Sequence, residues 1–430
     1  MADRQIRKVL YVVSNFPSLS ATFTAFEMAS IQSLGAEVHA ASLWSGEVSD
    51  QPHEVEQQFL DRLLLPRLSD PVVWLRAFQQ LIYRPALFLL IFRLALAHCV
   101  SIYAFAKLLA TLPKGLYLGW WARQNQVDQI HAHFLTTPAL AALLASQSSG
   151  IPFTVTIHAF DIFALTPRLR NAAISLKCQR AQFNIAISLF NIEYIRLHWP
   201  ETHGRFRVIH NGIDFTLFQG MATPFADPEH IRIFSNGRLI PKKGHDDLIR
   251  AVGQLRARHY PVQLAIVGQG PEEERLKALV ADLNLGEHVH FLGARSQTEL
   301  VALYQESDIF ALACVRSPDG DMDGLPTVLI EALALALPTV STHVSGIPEI
   351  IRDGDTGRCV PPRDPTAFAE ALVWMINHPQ QAREMGLRGQ SFVRAEFDSR
   401  RNAAKLFSLW EKGPQSSHSA RSSHGLLNRG

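Results

Sequence analysis

The run CVRSPDGDMDGLPTVLIEALALALPTVSTHVSGIPEII, residues 314–351, decides how this chain is read. It opens on a Gly/Asp-rich loop carrying Asp323, and Pro326 stands where a helix would begin, a place where its missing N–H costs nothing. Between 327 and 337 only Thr327 and Glu331 are polar. A carboxylate in so apolar a helix is costly to bury unless something pairs with it. Helical side chains lean toward the helix N-terminus, so Glu331 is predicted to face the mouth formed by Gly324, Leu325 and Pro326. Free N–H groups and the positive end of a helix dipole suit that mouth to a phosphate. The stretch therefore reads as a loop and helix that hold an anionic, hydroxyl-rich ligand between backbone donors and two acids. The competing reading is an ordinary buried helix after a solvated turn.

Working outward, the chain of 430 residues favours two or three domains, and 47% hydrophobic against 19% charged residues supplies ample cores. A net charge of +2 gives no nucleic-acid signature. Cys99, Cys178, Cys314 and Cys359 are scattered without metal-ligand spacing, which predicts reduced thiols in a cytosolic setting. The opening MADRQIRKVLYVVS lacks the apolar region and cleavage site of a signal peptide.

In the first half, 8–14 and 37–43 read as buried parallel strands around a helix that ends at Gly35. This β-α-β opening starts a doubly wound domain. Its loop NFPSLSATF has no G-x-G-x-x-G pattern, so a dinucleotide cofactor is not expected there. Residues 71–127 contain no Asp or Glu, but do contain Arg76, Arg84, Arg93, Lys107, Lys114 and Arg123 among many aromatics. No apolar run there reaches the roughly 20 residues of a membrane span. The composition suits a surface lying on an anionic membrane, with core helices packed on the first sheet as the other reading. His158 follows the strand 153–157, at the end that faces the crevice of an open α/β sheet, and Asp161 comes soon after. His131 and His133 form an H-x-H pair; with no third ligand at a helpful spacing, both read as structural. Gly212 is expected to make the turn in RVIHNGID, and 215–230 has the composition of a linker.

In the second half a strand ends at Asn236 and Gly237, and Arg238 and Lys243 flank the turn that follows. Facing a diphosphate, they would supply a bidentate fork and a point charge, with Lys242 in solvent. Glu272, Glu273 and Glu274 would repel phosphate, so the turn before them reads as structural or base-adjacent. Helical pattern runs from 367 to about 412, and the Ser/His/Gly-rich tail is expected to be disordered.

These motifs resemble the family-four retaining glycosyltransferases. Asp323 and Glu331 are spaced like that family's paired glutamates, with Asp replacing the first, and PTVST, GIPEII, GRLIPKKG, TIHAFDIF and VIHNGID are similar to family segments. NFPSLSATF resembles an exopolysaccharide-transferase loop in which Ala21 replaces a Glu. The resemblance implies an α/β GT-B fold, two Rossmann-like doubly wound domains facing a cleft, with a C-terminal helix crossing back to the first. The expected division is an acceptor-side domain 1–214 carrying the 71–127 insertion, a linker 215–230, a donor domain 231–395, a return helix 396–412 and the tail 413–430.

It further implies transfer from a nucleotide diphosphate sugar. Arg238, Lys243 and the N–H groups near Gly324, Leu325 and Pro326 would hold the diphosphate. Asp323 would bind sugar hydroxyls, Glu331 the nucleotide ribose, and His158 the sugar near the reacting carbon. No metal or other cofactor is expected. The implied acceptor is a polyprenyl-diphosphate-linked glycan of exopolysaccharide or colanic-acid type, at the inner membrane face. A transferase with a soluble acceptor and a non-catalytic nucleotide-sugar-binding partner remain as alternatives.

Overall fold

The β-branched and apolar runs form strands β1 (Lys8–Val13), β2 (Glu37–Ser42), β3 (Leu63–Leu64), β4 (Gln129–His133), β5 (Phe153–Ile157), β6 (Asn184–Ala186) and β7 (Phe206–Val208). They make one parallel sheet in the order β3-β2-β1-β4-β5-β6-β7. A second parallel sheet contains β8 (Ile231–Asn236), β9 (Val262–Val267), β10 (Val289–Gly293), β11 (Ile309–Ala311), β12 (Thr339–Thr342) and β13 (Arg358–Val360), in the order β10-β9-β8-β11-β12-β13. This computed structural model describes residues 5–17, 22–44, 54–98, 101–163 and 171–413; Ala21, Cys99 and the tail beyond 413 fall outside them. Every residue of β4 and β5 is buried, as expected of central strands covered by helices on both faces.

Strand order reverses between β1 and β4 in the first sheet and between β8 and β11 in the second. Loops leaving the carboxyl ends of such strands diverge and open a crevice. His158 follows β5, Arg238 follows β8, and the 314–326 loop follows β11. Arg238 and the 314–326 loop thus flank the second reversal point, and His158 lies one strand beyond the first.

The acid-free stretch divides in two. Helix Ile102–Gln124 is buried over much of its second half and packs along helix Thr137–Ser149. Small residues permit the close approach: a Cβ on Gly119 would stand 1.9 Å from Ser148 Oγ and 2.7 Å from the Ala145 carbonyl oxygen. Lys114 lies buried there, donating to the Leu43 carbonyl with its ammonium 4.0 Å from the Trp44 ring centre. Helices Pro71–Tyr83 and Ala86–His98 instead turn Trp74, Phe78, Ile82, Tyr83, Phe88 and Phe92 outward. Among the described residues no single helix is long and apolar enough to cross a membrane; these two pass together, bent by 113°.

The predicted strand 207–214 is shorter than expected, since β7 ends at Val208. Gly212 serves close approach rather than the turn. The chain returning from the second sheet passes so near that a Cβ on Gly212 would lie 2.5 Å from the Ser399 nitrogen. Ile213 N donates to Phe397 O at 3.0 Å, and Ser399 N to Ile213 O at 3.2 Å. Helix Ser399–Lys412 then lies against helix Thr22–Ser33 of the first half, and Trp410 Nε1 donates to Thr154 Oγ1 at 3.0 Å.

Candidate functional site

The loop after β8 turns through a short helical segment, Pro241–Lys243, and Gly244 ends it with φ 63°. Only glycine fits, because a Cβ there would fall 1.8 Å from the Ala313 carbonyl oxygen. That contact presses the Lys243 loop onto the segment following β11 and brings cations to the acids. Lys243 Nζ lies 2.7 Å from Asp323 Oδ2, and Lys242 Nζ lies 3.4 Å from Asp323 Oδ1 and 3.0 Å from Asp321 Oδ2. Lys242 is therefore held in the acid cluster rather than in solvent. Arg238 is exposed and makes no ion pair among the described residues, which leaves its guanidinium available to an anion.

Pro326 caps helix Thr327–Ala334 from outside, so the helix starts one residue later than the sequence suggests. Glu331 Oε2 accepts from the Tyr304 hydroxyl at 3.0 Å, and Tyr304 is fully buried. The two acids are driven apart. Burial works to raise the Asp323 carboxyl, but the Lys243 and Lys242 ammoniums outweigh it and hold Asp323 below its ordinary range. Burial raises the Glu331 carboxyl, against donation from Tyr304 and Thr327 and the field of Lys243. Environments that separate two carboxylates this way suit them to different tasks.

From the first half, His158 follows β5 with 5% exposure. Its backbone N–H donates to Asp161 Oδ2 at 2.9 Å, and Leu135 N donates to the same oxygen at 2.9 Å. The rings of Phe23 and Phe134 stand 4.8 Å and 4.5 Å from the imidazole. Phe134 holds a positive φ of 78°, backbone strain of about 1–3 kcal/mol for a non-glycine residue. Ala159, the next residue, lies under the second-half loop: a Cβ on Gly324 would be 2.7 Å from the Ala159 Cβ. His158 is thereby adjacent in space to the Asp323–Pro326 loop.

H-x-H does have a third group nearby. Glu27, from helix Thr22–Ser33, places Oε1 3.1 Å from His133 Nε2 and 3.5 Å from His131 Nε2. Burial would raise this carboxyl, but His133, His131 and the Tyr11 hydroxyl bring it down to about 2. Sequence reading missed Glu27. Its signal was akin to the one used for Glu331: it is the one charged residue of its helix. It also missed Tyr304, which carries no such signal, and Glu349. Glu349 crosses between halves: Leu189 N and Phe190 N each donate to it at 2.9 Å, and His210 Nε2 lies 3.3 Å away.

The pattern described as Glycosyltransferase Family 4 matches residues 70–217, and that of Glycosyl transferases group 1 matches 222–392. The chain belongs to the family-four glycosyltransferases. It is 38% identical over 173 residues, 40% of this chain and 45% of the relative, to the GDP-mannose-dependent alpha-(1-6)-phosphatidylinositol monomannoside mannosyltransferase of Mycolicibacterium smegmatis. It is 37% identical over 166 residues, 37% of this chain and 39% of the relative, to the putative colanic acid biosynthesis glycosyltransferase WcaL of Escherichia coli. The chain thus spans less than half the length of these curated relatives. The fold matches the Anabaena protein Alr3699/HepE in complex with UDP, with a TM-score of 0.67 at 17% identity, over 93% of this chain and 98% of that one. The architecture is GT-B.

Proposed function

We propose that this family-four member transfers a glycosyl group, with retention of configuration, from a nucleotide diphosphate sugar to a lipid-linked glycan of cell-surface polysaccharide synthesis. The observation that carries the reading is the meeting of Lys243 with Asp323, beside the helix bearing Glu331 and on the same loop as the exposed Arg238. A donor diphosphate would draw Lys243 from Asp323 and bridge it to Arg238. Asp323, released, would take sugar hydroxyls, and Glu331 would take the ribose. Charge building on the departing diphosphate would then meet preorganised cations and the N–H groups of Gly324, Leu325 and the helix start after Pro326. His158, across the cleft, would bond the sugar near the reacting carbon. The colanic acid and phosphatidylinositol mannoside relatives support a polysaccharide or glycolipid acceptor. The aromatic faces of Pro71–Tyr83 and Ala86–His98, with Arg93 exposed among them, support peripheral binding to an anionic membrane at its cytoplasmic face.

The test is turnover of UDP-, GDP- and ADP-sugars, with and without short-chain polyprenyl-diphosphate glycans, in wild type, Arg238→Ala and Glu331→Ala. Turnover of one donor, lost in both variants and dependent on the lipid glycan, is expected. Binding without turnover on any acceptor would make the protein a non-catalytic partner. Full activity on soluble acceptors would remove the membrane half of the proposal.

A further inference from the structure

His158 is the inner end of a buried polar chain that the transfer chemistry above leaves unused. Tyr11 hydroxyl donates to Glu27 Oε1 at 2.9 Å, and the same oxygen is 3.1 Å from His133 Nε2. His133 Nδ1 is 3.1 Å from His158 Nε2, with the two rings stacked at 5.3 Å. His158 Nδ1 faces the amide nitrogen of Asn211 at 3.5 Å. Both histidines are fully or nearly fully buried, so water cannot substitute for the link between them.

The chain has a direction. A carboxylate only accepts, so the His133 nitrogen facing Glu27 carries a proton. At the other end an amide NH2 only donates, so His158 Nδ1 is an acceptor. Neutral imidazole then puts the His158 proton on Nε2, where His133 Nδ1 receives it. All links agree on one tautomer. The Asn211 contact is at the long limit of a hydrogen bond, so a stronger donor arriving from the cleft can displace it.

We infer that Glu27 and His133 are positioning residues that fix His158 with Nδ1 unprotonated, ready to accept a hydrogen bond from a donor-sugar hydroxyl. The inference rests on the sugar-binding role proposed for His158. It separates the two histidines of the H-x-H pair: His133 continues the chain, while His131 turns its Nδ1 to Thr154 Oγ1 at 2.7 Å. A cavity of about 20 Å³ lined by Glu27, Asn211, His210 and Asn402 adjoins the chain on the Glu27 side, room for about one water.

The experiment reads the tautomer directly. Full-length protein labelled with ¹⁵N-histidine, without donor, is examined by long-range ¹H–¹⁵N correlation, with His158 assigned by its loss in His158→Gln. Nδ1 should resonate as an unprotonated nitrogen and Nε2 as a protonated one. His133→Phe keeps a stacked ring but removes the acceptor; it should mix the tautomers and lower kcat about 10- to 100-fold at little change in donor KM, the scale of one hydrogen bond in a buried site. His133→Gln presents an amide donor to Glu27 and an acceptor to His158, and should restore most of both. Protonated Nδ1 in the wild type, or a His133→Phe variant with unchanged tautomer and kcat, overturns the inference. So does one metal ion per chain on Glu27, His131 and His133, found by elemental analysis of the purified protein. Since the resonance is read without substrate, a wild type that turns over no donor would sink the transferase proposal and leave the tautomer to decide this one.

Discussion

Replacing Glu349 by Ala should loosen the contact between the two sheet domains. Ser188 caps helix Leu189–His198 by accepting from Asn191 N at 3.1 Å, which leaves the first N–H groups of that helix without an intrahelical partner. Glu349, from the second domain, takes the N–H groups of Leu189 and Phe190 on its two oxygens, with His210 beside it. Hydrogen bonds to a charged group are worth about 1.5–3 kcal/mol each. The Glu349 side chain is 24% exposed and Leu189 is half-exposed, so water will satisfy part of what is lost. A net loss of about 2–3 kcal/mol remains, or roughly 30- to 140-fold in the docking equilibrium. Native-state hydrogen exchange at the Leu189 and Phe190 amides should accelerate by that factor, and solution scattering should show a more extended particle. Glu349→Gln, which keeps one acceptor, should fall between. Burial works to raise the Glu349 carboxyl, but the His210 bond and the two backbone N–H donors hold it below its ordinary range. The contribution is therefore complete above the ordinary glutamate pKa and lost as pH falls through the lowered value. Unchanged amide exchange in Glu349→Ala would refute the reasoning, since nothing else in the contact would then be missing.

Phe78→Asp together with Phe92→Asp should abolish co-sedimentation with anionic vesicles while leaving the melting temperature within a few degrees, because both rings are about 60% exposed. Gly119→Ala should lower stability by about 1–3 kcal/mol, read by denaturant unfolding, because the Ala145 backbone cannot yield to the added methyl. Cys178, Cys314 and Cys359 are buried, and burial pushes the Cys178 and Cys359 thiols up to about 12. Alkylation mapped by mass spectrometry should therefore reach these three only at the rate of unfolding.

Strand positions were legible because period and composition are local. FTVTI, read as the strand 153–157, is β5 to the residue, since an apolar β-branched run needs no distant partner to declare itself. The short β3, Leu63–Leu64, was not legible: two leucines carry no period, and pairing with Ala40 and Ala41 makes them a strand. The 71–127 stretch announced its aromatic and basic character but not its division. Which of its helices faces inward depends on Gly115 and Gly119 meeting Ala141 and Ala145, a fit between segments.

By itself the sequence determined the two α/β halves, the basic loop at Arg238–Lys243, the Gly/Asp-rich loop at Asp323–Pro326, and the lone acid Glu331 in its apolar helix. Those follow from propensities and spacings within a few residues. Only the tertiary structure decided who pairs with whom. Lys243 meets Asp323, Tyr304 meets Glu331, and Glu27 meets His133 across 106 positions of sequence. Trp410 reaches Thr154 across 256. Strand order and the return helix set those meetings, and neither is encoded in the local period of any one segment.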